Sequence, residues 1–479
     1  ALVRDAAYES LLKEKRRAIH SRVLASLESD HDIAPELLAV HAEEAGLIDR
    51  AIDLWESAGK AAILRPAYDE GIAHIGRAID LVDTRNNDGD KEAIERAMSL
   101  QVQRGMAYLT RLGHGADETV SAFELAIRLA DEIGDTPMRY SILYGLWIGK
   151  GVRGEHQEAR LRAETLIEQA THSTETAPLV VAHRVAGTTY GFMGEFAKAL
   201  EHLDIALKHY DPIEHEGLAD RFGQDIGVSV NTFQALNRLA TGHCLRARNH
   251  SEEAVRIARQ TAHVQTVCYA LSIRSIFCLF DGDTNTAHRC MTEVQPIIAE
   301  HSLVMWQNFG SMIMEVLAAR SGDRDSIRRY LKADEDLIAT KVRMFVPQLR
   351  IVAAFSAVEM GLQDEAAALA GMATDLIGQT GETYALAELH RAMARIAYSG
   401  NDVAEAEKQL MNALEIARKQ GARLWELRAA IDLAQIMEHY DRFGPATDML
   451  KTIVEDFDED DCPGDLKIAR NLLSNTTAP

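Results

Sequence analysis

The spacing Gly149-Lys150-Gly151-Val152-Arg153-Gly154 is that of a loop cradling a dinucleotide pyrophosphate. That chemistry needs a strand before the loop and a helix opening within it. Tyr140 to Ile148 reads as helix instead, and Gly154 falls at a turn. Gly149-Lys150 is followed by Gly151 rather than Ser or Thr, so a Walker A loop is not completed either. Asp281-Gly282-Asp283-Thr284-Asn285 opens like a calcium loop, but Thr286 stands where the turn glycine belongs and Thr292 where the bidentate Glu belongs. His202, His209 and His215 are seven and six residues apart, whereas zinc helices use three or four. No Ser or Cys sits on a strand–turn–helix elbow. Carboxylate pairs carry no signal in a chain with 73 acids. The expectation is no catalytic residue, no metal and no cofactor.

Binding chemistry is bounded by charge. The 479 residues carry a net charge of −22, which repels phosphate backbones and anionic membranes unless a basic patch is segregated. The one dense basic cluster is Lys13, Lys15, Arg16 and Arg17, read as a solvated helix face. The expected partners therefore include no nucleic acid and no membrane. No run of about 18 apolar residues stands out as a membrane span. The five cysteines include no C-x-x-C pair and are odd in number. They read as reduced thiols, several packed inside helices, in a cytoplasmic protein.

Behind these residues lies a repeat. Ala186-Gly187, Tyr190, Gly194, Phe196, Ala199, Leu203, Ala206 and Pro212 read as helix, turn, helix. Gly187 lets two helices approach, Gly194 breaks the chain, and Ala199, Leu203 and Ala206 form one face at i, i+4, i+7. Aligned on Ala199, equivalent positions fall at Ala51, Gly71, Thr119, Ala159, Ala254, Ala287, Ile327, Ala366, Ala406 and Ala446, and from Ala287 the steps are 40, 39, 40 and 40. Tetratricopeptide (TPR) units of about 34 residues have this pattern. The fold expected is all-α, a solenoid of about eleven TPR-like helix–turn–helix units in a right-handed superhelix.

Along the chain, residues 1–33 read as a helical segment outside the repeat, with Leu2, Ala6, Ala7, Leu11 and Leu12 on one face. Residues 34–85 read as atypical first repeats, and Asn86 to Asp90 as a polar breakpoint. Residues 93–456 form the main array, with an extended loop or lengthened helix over Asp211 to Gly227 and turns at Gly282, Gly322, Gly361 and Gly400. Residues 457–479 read as an acidic turn and a capping helix.

Both ends resemble a known family. Leu2 to Leu12 with Arg16-Arg17 and His20, then Pro35 to Ala39, His41, Glu44-Ala45-Gly46, Ala51-Ile52, Trp55 and Ala58-Gly59, resemble the segment leaving the ATPase module of bacterial signalling proteins. These are class III adenylate/guanylate cyclase-like proteins with a STAND-type ATPase and a TPR tail; some relatives carry a DNA-binding module instead. Ala413 to Arg418, Gln420 to Ala422, Trp425 to Ala430, and Asp465 to Lys467 with Ala469 and Leu472-Leu473 resemble the family's terminal repeats. The resemblance covers only the tail half of such proteins, so the chain is expected to be a fragment or a truncated homologue, and no catalytic residue carries over. It implies a sensing array whose occupancy gates its own upstream ATPase module; the rival is a free-standing TPR adaptor. In TPR arrays the first helix of each unit lines a concave groove. Repeat alignment places Arg184, Thr188, Phe192, His243, Arg246 and Ser272 there, facing a protein or peptide segment or a small effector.

Overall fold

A computed structural model describes residues 12–29, 33–65, 67–85, 90–134, 138–171, 173, 175–215, 217–261, 263–301, 303–438, 443–458 and 461–475. The expected face at Leu2 to Leu11 and the polar loop at 86–89 lie outside them. Every regular element among the described residues is an α-helix, and the fold is a TPR-like α-solenoid.

The chain forms two compact units, residues 1–149 and 150–479. The first holds α1 (Lys13–Leu27), α2 (Pro35–Ala45), α3 (Ile48–Leu64), α4 (Tyr68–Arg85), α5 (Lys91–Leu112) and α6 (Asp117–Ile133). The boundary falls near the end of α7 (Met138–Val152). Ala39, Ala42, Ala51, Ala58, Ile75 and Ala78 build its core, each at most 1% exposed. Small residues on facing helices let the backbones close up, as the alanine repeat requires.

The second unit begins with α8 (His156–Thr171), α9 (Thr176–Phe192), α10 (Phe196–His209) and the short α11 (Leu218–Phe222). It continues with α12 (Ile226–Ala240), α13 (Cys244–Thr261), α14 (Val264–Asp281), α15 (Thr284–Glu300), α16 (Val304–Arg320) and α17 (Ser326–Ala339). It ends with α18 (Val346–Glu359), α19 (Gln363–Thr380), α20 (Leu386–Ser399), α21 (Val403–Gln420), α22 (Arg423–Met437), α23 (Phe443–Glu455) and α24 (Pro463–Asn475). The long insertion expected at 211–227 resolves into a turn, α11 and a cap: the Asp225 side chain accepts from Val228 N at 2.8 Å and starts α12. Asp283 and Asp402 cap α15 and α21 the same way, which absorbs the calcium-like run at 281–285 into a helix start.

The register read from the repeat holds at its clearest copy. A Cβ at Gly187 would sit 2.5 Å from Leu203 Cγ and 3.0 Å from the Ala199 carbonyl oxygen, so α9 and α10 touch at this glycine. Ala199, Leu203 and Ala206 are fully buried. One turn differs in detail: Gly400 has φ −84°, and Asn401 takes the left-handed conformation instead. Gly149 and Gly151 lie inside α7 and Gly154 in the turn after it, so the G-x-G-x-x-G spacing is helix and turn. The membrane reading also changes in detail. α14 is long and apolar enough to cross a membrane, yet 72% of that stretch is buried inside the protein, as befits a core helix.

Candidate functional site

The second unit curls back on itself, and this decides which inner surfaces stay open. The last carbonyls of a helix lack partners within it. Here the ends of successive inner helices receive donors from far along the chain. Val152 O accepts from Arg343 N at 2.8 Å and from Met344 N at 3.2 Å. Phe192 O accepts from Tyr384 N at 3.1 Å, and Met193 O from Thr383 Oγ1 at 2.6 Å. Phe280 O accepts from the Arg428 guanidinium at 2.8 Å, and one turn before the end of α12 Leu236 O accepts from Tyr384 OH at 2.8 Å. A buried hydrogen bond joins His156 Nε2 to Glu382 Oε2 at 3.0 Å, and Glu382 Oε1 also accepts from Phe345 N at 3.1 Å. Cys244 and Cys462, 218 residues apart, form a disulfide. This differs from the expectation of five thiols: the winding brings the two together, while Cys268, Cys278 and Cys290 are buried and free. Burial pushes the Cys268 thiol up to about 11 and, aided by Cys290, the Cys278 thiol up to about 12.

These long-range contacts fill the space beside α9, α12 and α14, where most of the expected groove residues lie. Arg184 is 1% exposed, and its Nε donates to Ser229 Oγ at 2.5 Å. Phe192 packs edge-on against Phe233 and Phe345. Thr188 and Ser272 are buried, and their hydroxyls meet no hydrogen-bond partner among the described residues. His243 lies between α12 and α13, 3.6 Å from Asp461, and Arg246 is exposed on α13. The six residues share no open surface.

A cavity of about 250 Å³ opens further along, ringed by the inner helices α14, α16, α18, α20, α22 and α24. Four arginines and four carboxylates line it. Arg391 donates to Glu388 at 2.5–2.6 Å and to Asp432 at 2.9 Å. Arg395 donates to the same Asp432 at 2.8–3.0 Å, and both guanidiniums lie over the Phe355 ring at 4.7 and 5.6 Å. Arg428 pairs with Asp465 at 2.9–3.1 Å. Burial opposes the charge on Asp432, but Arg391 and Arg395 outweigh it and hold the carboxyl below the usual aspartate range.

Arg320, at the end of α16, is the exception. It is open to solvent inside the cavity, and its guanidinium makes no hydrogen bond or ion pair with the described residues. Desolvation by the surrounding walls, with Arg428 and Arg391 as like charges, outweighs the pull of Glu359 and Glu388 and holds it below the usual arginine range. A cavity of about 750 Å³ in the first unit offers a contrast. Its arginines, Arg85 and Arg96, are already paired with Asp49, Asp53 and Glu56. Among the described residues no group of three or more His, Cys, Asp or Glu is placed to hold a metal ion.

No family model matches the chain. An uncharacterised protein of Rhizobium meliloti (strain 1021) is 21% identical over 448 residues, which is 91% of this chain and 43% of that protein. The chain thus spans less than half the length of this relative. Among solved structures, Rap protein complexed with competence and sporulation factor superposes with a TM-score of 0.55 at 12% identity, over 77% of this chain and 98% of that one. The human IFIT1 dimer with m7Gppp-AAAA superposes with a TM-score of 0.43 at 11% identity, over 97% of this chain and 94% of that one. The likeness to Rap is one of fold, a TPR-like helical solenoid.

Proposed function

We propose that the chain is a non-catalytic TPR-like sensor and scaffold. It binds a protein segment or a small effector and regulates an upstream ATPase with a cyclase or DNA-binding output. The observation that carries this reading is the cavity ringed by six inner helices, with an unpaired cation on its wall. A ligand there touches helices far apart in sequence, so its binding energy acts on the packing of the whole second unit. Three further points support it. Rap, a protein of the same fold, is complexed with a factor. The Rhizobium meliloti relative is more than twice as long as the part this chain matches, leaving room for a module to be regulated. The two ends resemble the tail of cyclase-like STAND proteins.

The test uses the longer relative. Deleting the segment that matches this chain should change its rate of nucleotide turnover several-fold, while the isolated chain neither hydrolyses ATP nor makes cyclic nucleotides. A turnover rate that is the same with and without the segment removes the regulatory reading and leaves a TPR adaptor. Turnover by the isolated chain contradicts the non-catalytic reading.

A further inference from the structure

If the chain is a binding module, the premise on which this inference rests, the cavity constrains its own ligand. Three of the four lining arginines are committed: Arg391 and Arg395 to Asp432, and Arg428 to Asp465 and the Phe280 carbonyl. Of the four, Arg320 alone presents an unused guanidinium fork to the cavity. Such a fork matches a carboxylate with two parallel hydrogen bonds. The lining holds as many carboxylates as guanidiniums, and Glu359, Glu388, Asp432 and Asp465 all face the same space. Glu388, Asp432 and Asp465 are matched by the committed arginines, which leaves Arg320 with Glu359; a doubly charged phosphate exceeds the one free cation, whereas a singly charged anion matches it and adds the least repulsion. Apart from Gly282 and Gln435, the rest of the wall is apolar: Leu279, Phe280, Val352, Phe355, Ile431 and Ile468. A volume of about 250 Å³ falls below the roughly 300–1,000 Å³ of sites for drug-sized ligands, so the occupant is small or is the end of a chain.

We propose that this cavity binds a singly charged carboxylate bearing a compact apolar group, with Arg320 pairing with the carboxylate and Phe280, Val352 and Ile431 receiving the apolar group. Two sources share that chemistry, a free organic acid and the C-terminal residue of a peptide.

Calorimetry on the full chain separates them. The probes are 3-phenylpropanoate, a tetrapeptide ending in leucine with a free C-terminus, the same peptide as its amide, and inorganic phosphate. We expect one or both carboxylates to bind, with the amide and phosphate at least ten-fold weaker. Binding of the acid alone identifies a free metabolite, and binding of the peptide alone a chain end. Arg320→Gln should weaken binding at least ten-fold, and Arg320→Lys, which keeps the charge and loses the fork, should fall between. Gln435→Trp, on the exposed rim of the cavity, should block entry while touching none of the ion pairs described, so the test does not hang on one variant. No binding by either carboxylate, phosphate binding as tight as the carboxylates, or undiminished affinity in Arg320→Gln and Gln435→Trp overturns the proposal. The regulatory reading has a separate readout, nucleotide turnover after deletion. Turnover that still responds while no carboxylate binds discards this ligand class and nothing else.

Discussion

The inner helices of the second unit do opposite things at its two ends. Beside α9 and α12 the space is filled: Tyr384, Thr383 and Phe345 come in from later repeats and cover Phe192, Phe233 and the ends of the helices. Around α16, α20 and α22 the same class of helix borders a charged cavity, and Arg320 is left without a partner among the described residues. The sequence pattern of a TPR unit says which helix faces inward. Whether that face becomes core or groove depends on how tightly later repeats wind against earlier ones.

The largest test of the filled end is its buried His156–Glu382 pair. His156 and Glu382 are 1% and 0% exposed. His156→Leu leaves the Glu382 carboxyl buried with the Phe345 N–H as its remaining donor, and we expect a loss of about 3–5 kcal/mol in urea unfolding. An unchanged midpoint would mean that residues 343–384 do not pack against α8 and α9. The disulfide comes next. Reducing Cys244–Cys462 should cost about 2–4 kcal/mol, and Cys462→Ser should show that loss already and be insensitive to reductant. Equal sensitivity of wild type and variant would remove the crosslink.

A pH dependence arises from His183 on α9, which contacts His202 at 2.9 Å. Burial first, then His202 and His209, lower its pKa from 6.5 to about 4. Between these values the unfolded chain takes up a proton that the folded chain refuses. The contribution is therefore fully present above pH 6.5 and is lost as pH falls through 4, for a total of up to about 3 kcal/mol. His183→Gln should be less steep than wild type in this window and parallel to it from pH 7 to 9; identical slopes would contradict the burial of this ring. The smallest effect belongs to the open end. Arg320→Gln breaks no pairing and should change stability by no more than about 0.5 kcal/mol. A loss above 2 kcal/mol would show that Arg320 is a structural residue and not a waiting ligand.

Much of the local architecture was legible in the sequence. The alanine and glycine spacing identified the helix pairs, and Gly187 against Ala199 and Leu203 sets the register it implied. The same spacing singled out the first helix of each unit as the one that faces inward. It could not foresee that Arg184, Thr188, Phe192 and Ser272 would be enclosed; the contacts that cover Phe192, for example, reach to Phe345 and Tyr384 and leave no local pattern. The Cys244–Cys462 bond was hidden for the same reason. Arg320 was invisible for another: it is one of 51 Lys and Arg residues, at an ordinary helix end, and its isolation arises only when α20 and α22 commit their arginines elsewhere.

The contrast between the filled and the open inner face can be measured directly by thiol labelling. Single cysteines are introduced by Thr188→Cys on α9 and by Arg320→Cys on α16, and maleimide reaction rates are compared in the oxidised native chain. The three free native thiols are buried and set the background. We expect the thiol at position 320 to react at the rate of an exposed cysteine and the one at position 188 at least a hundred-fold more slowly. Equal rates at the two positions would contradict the account.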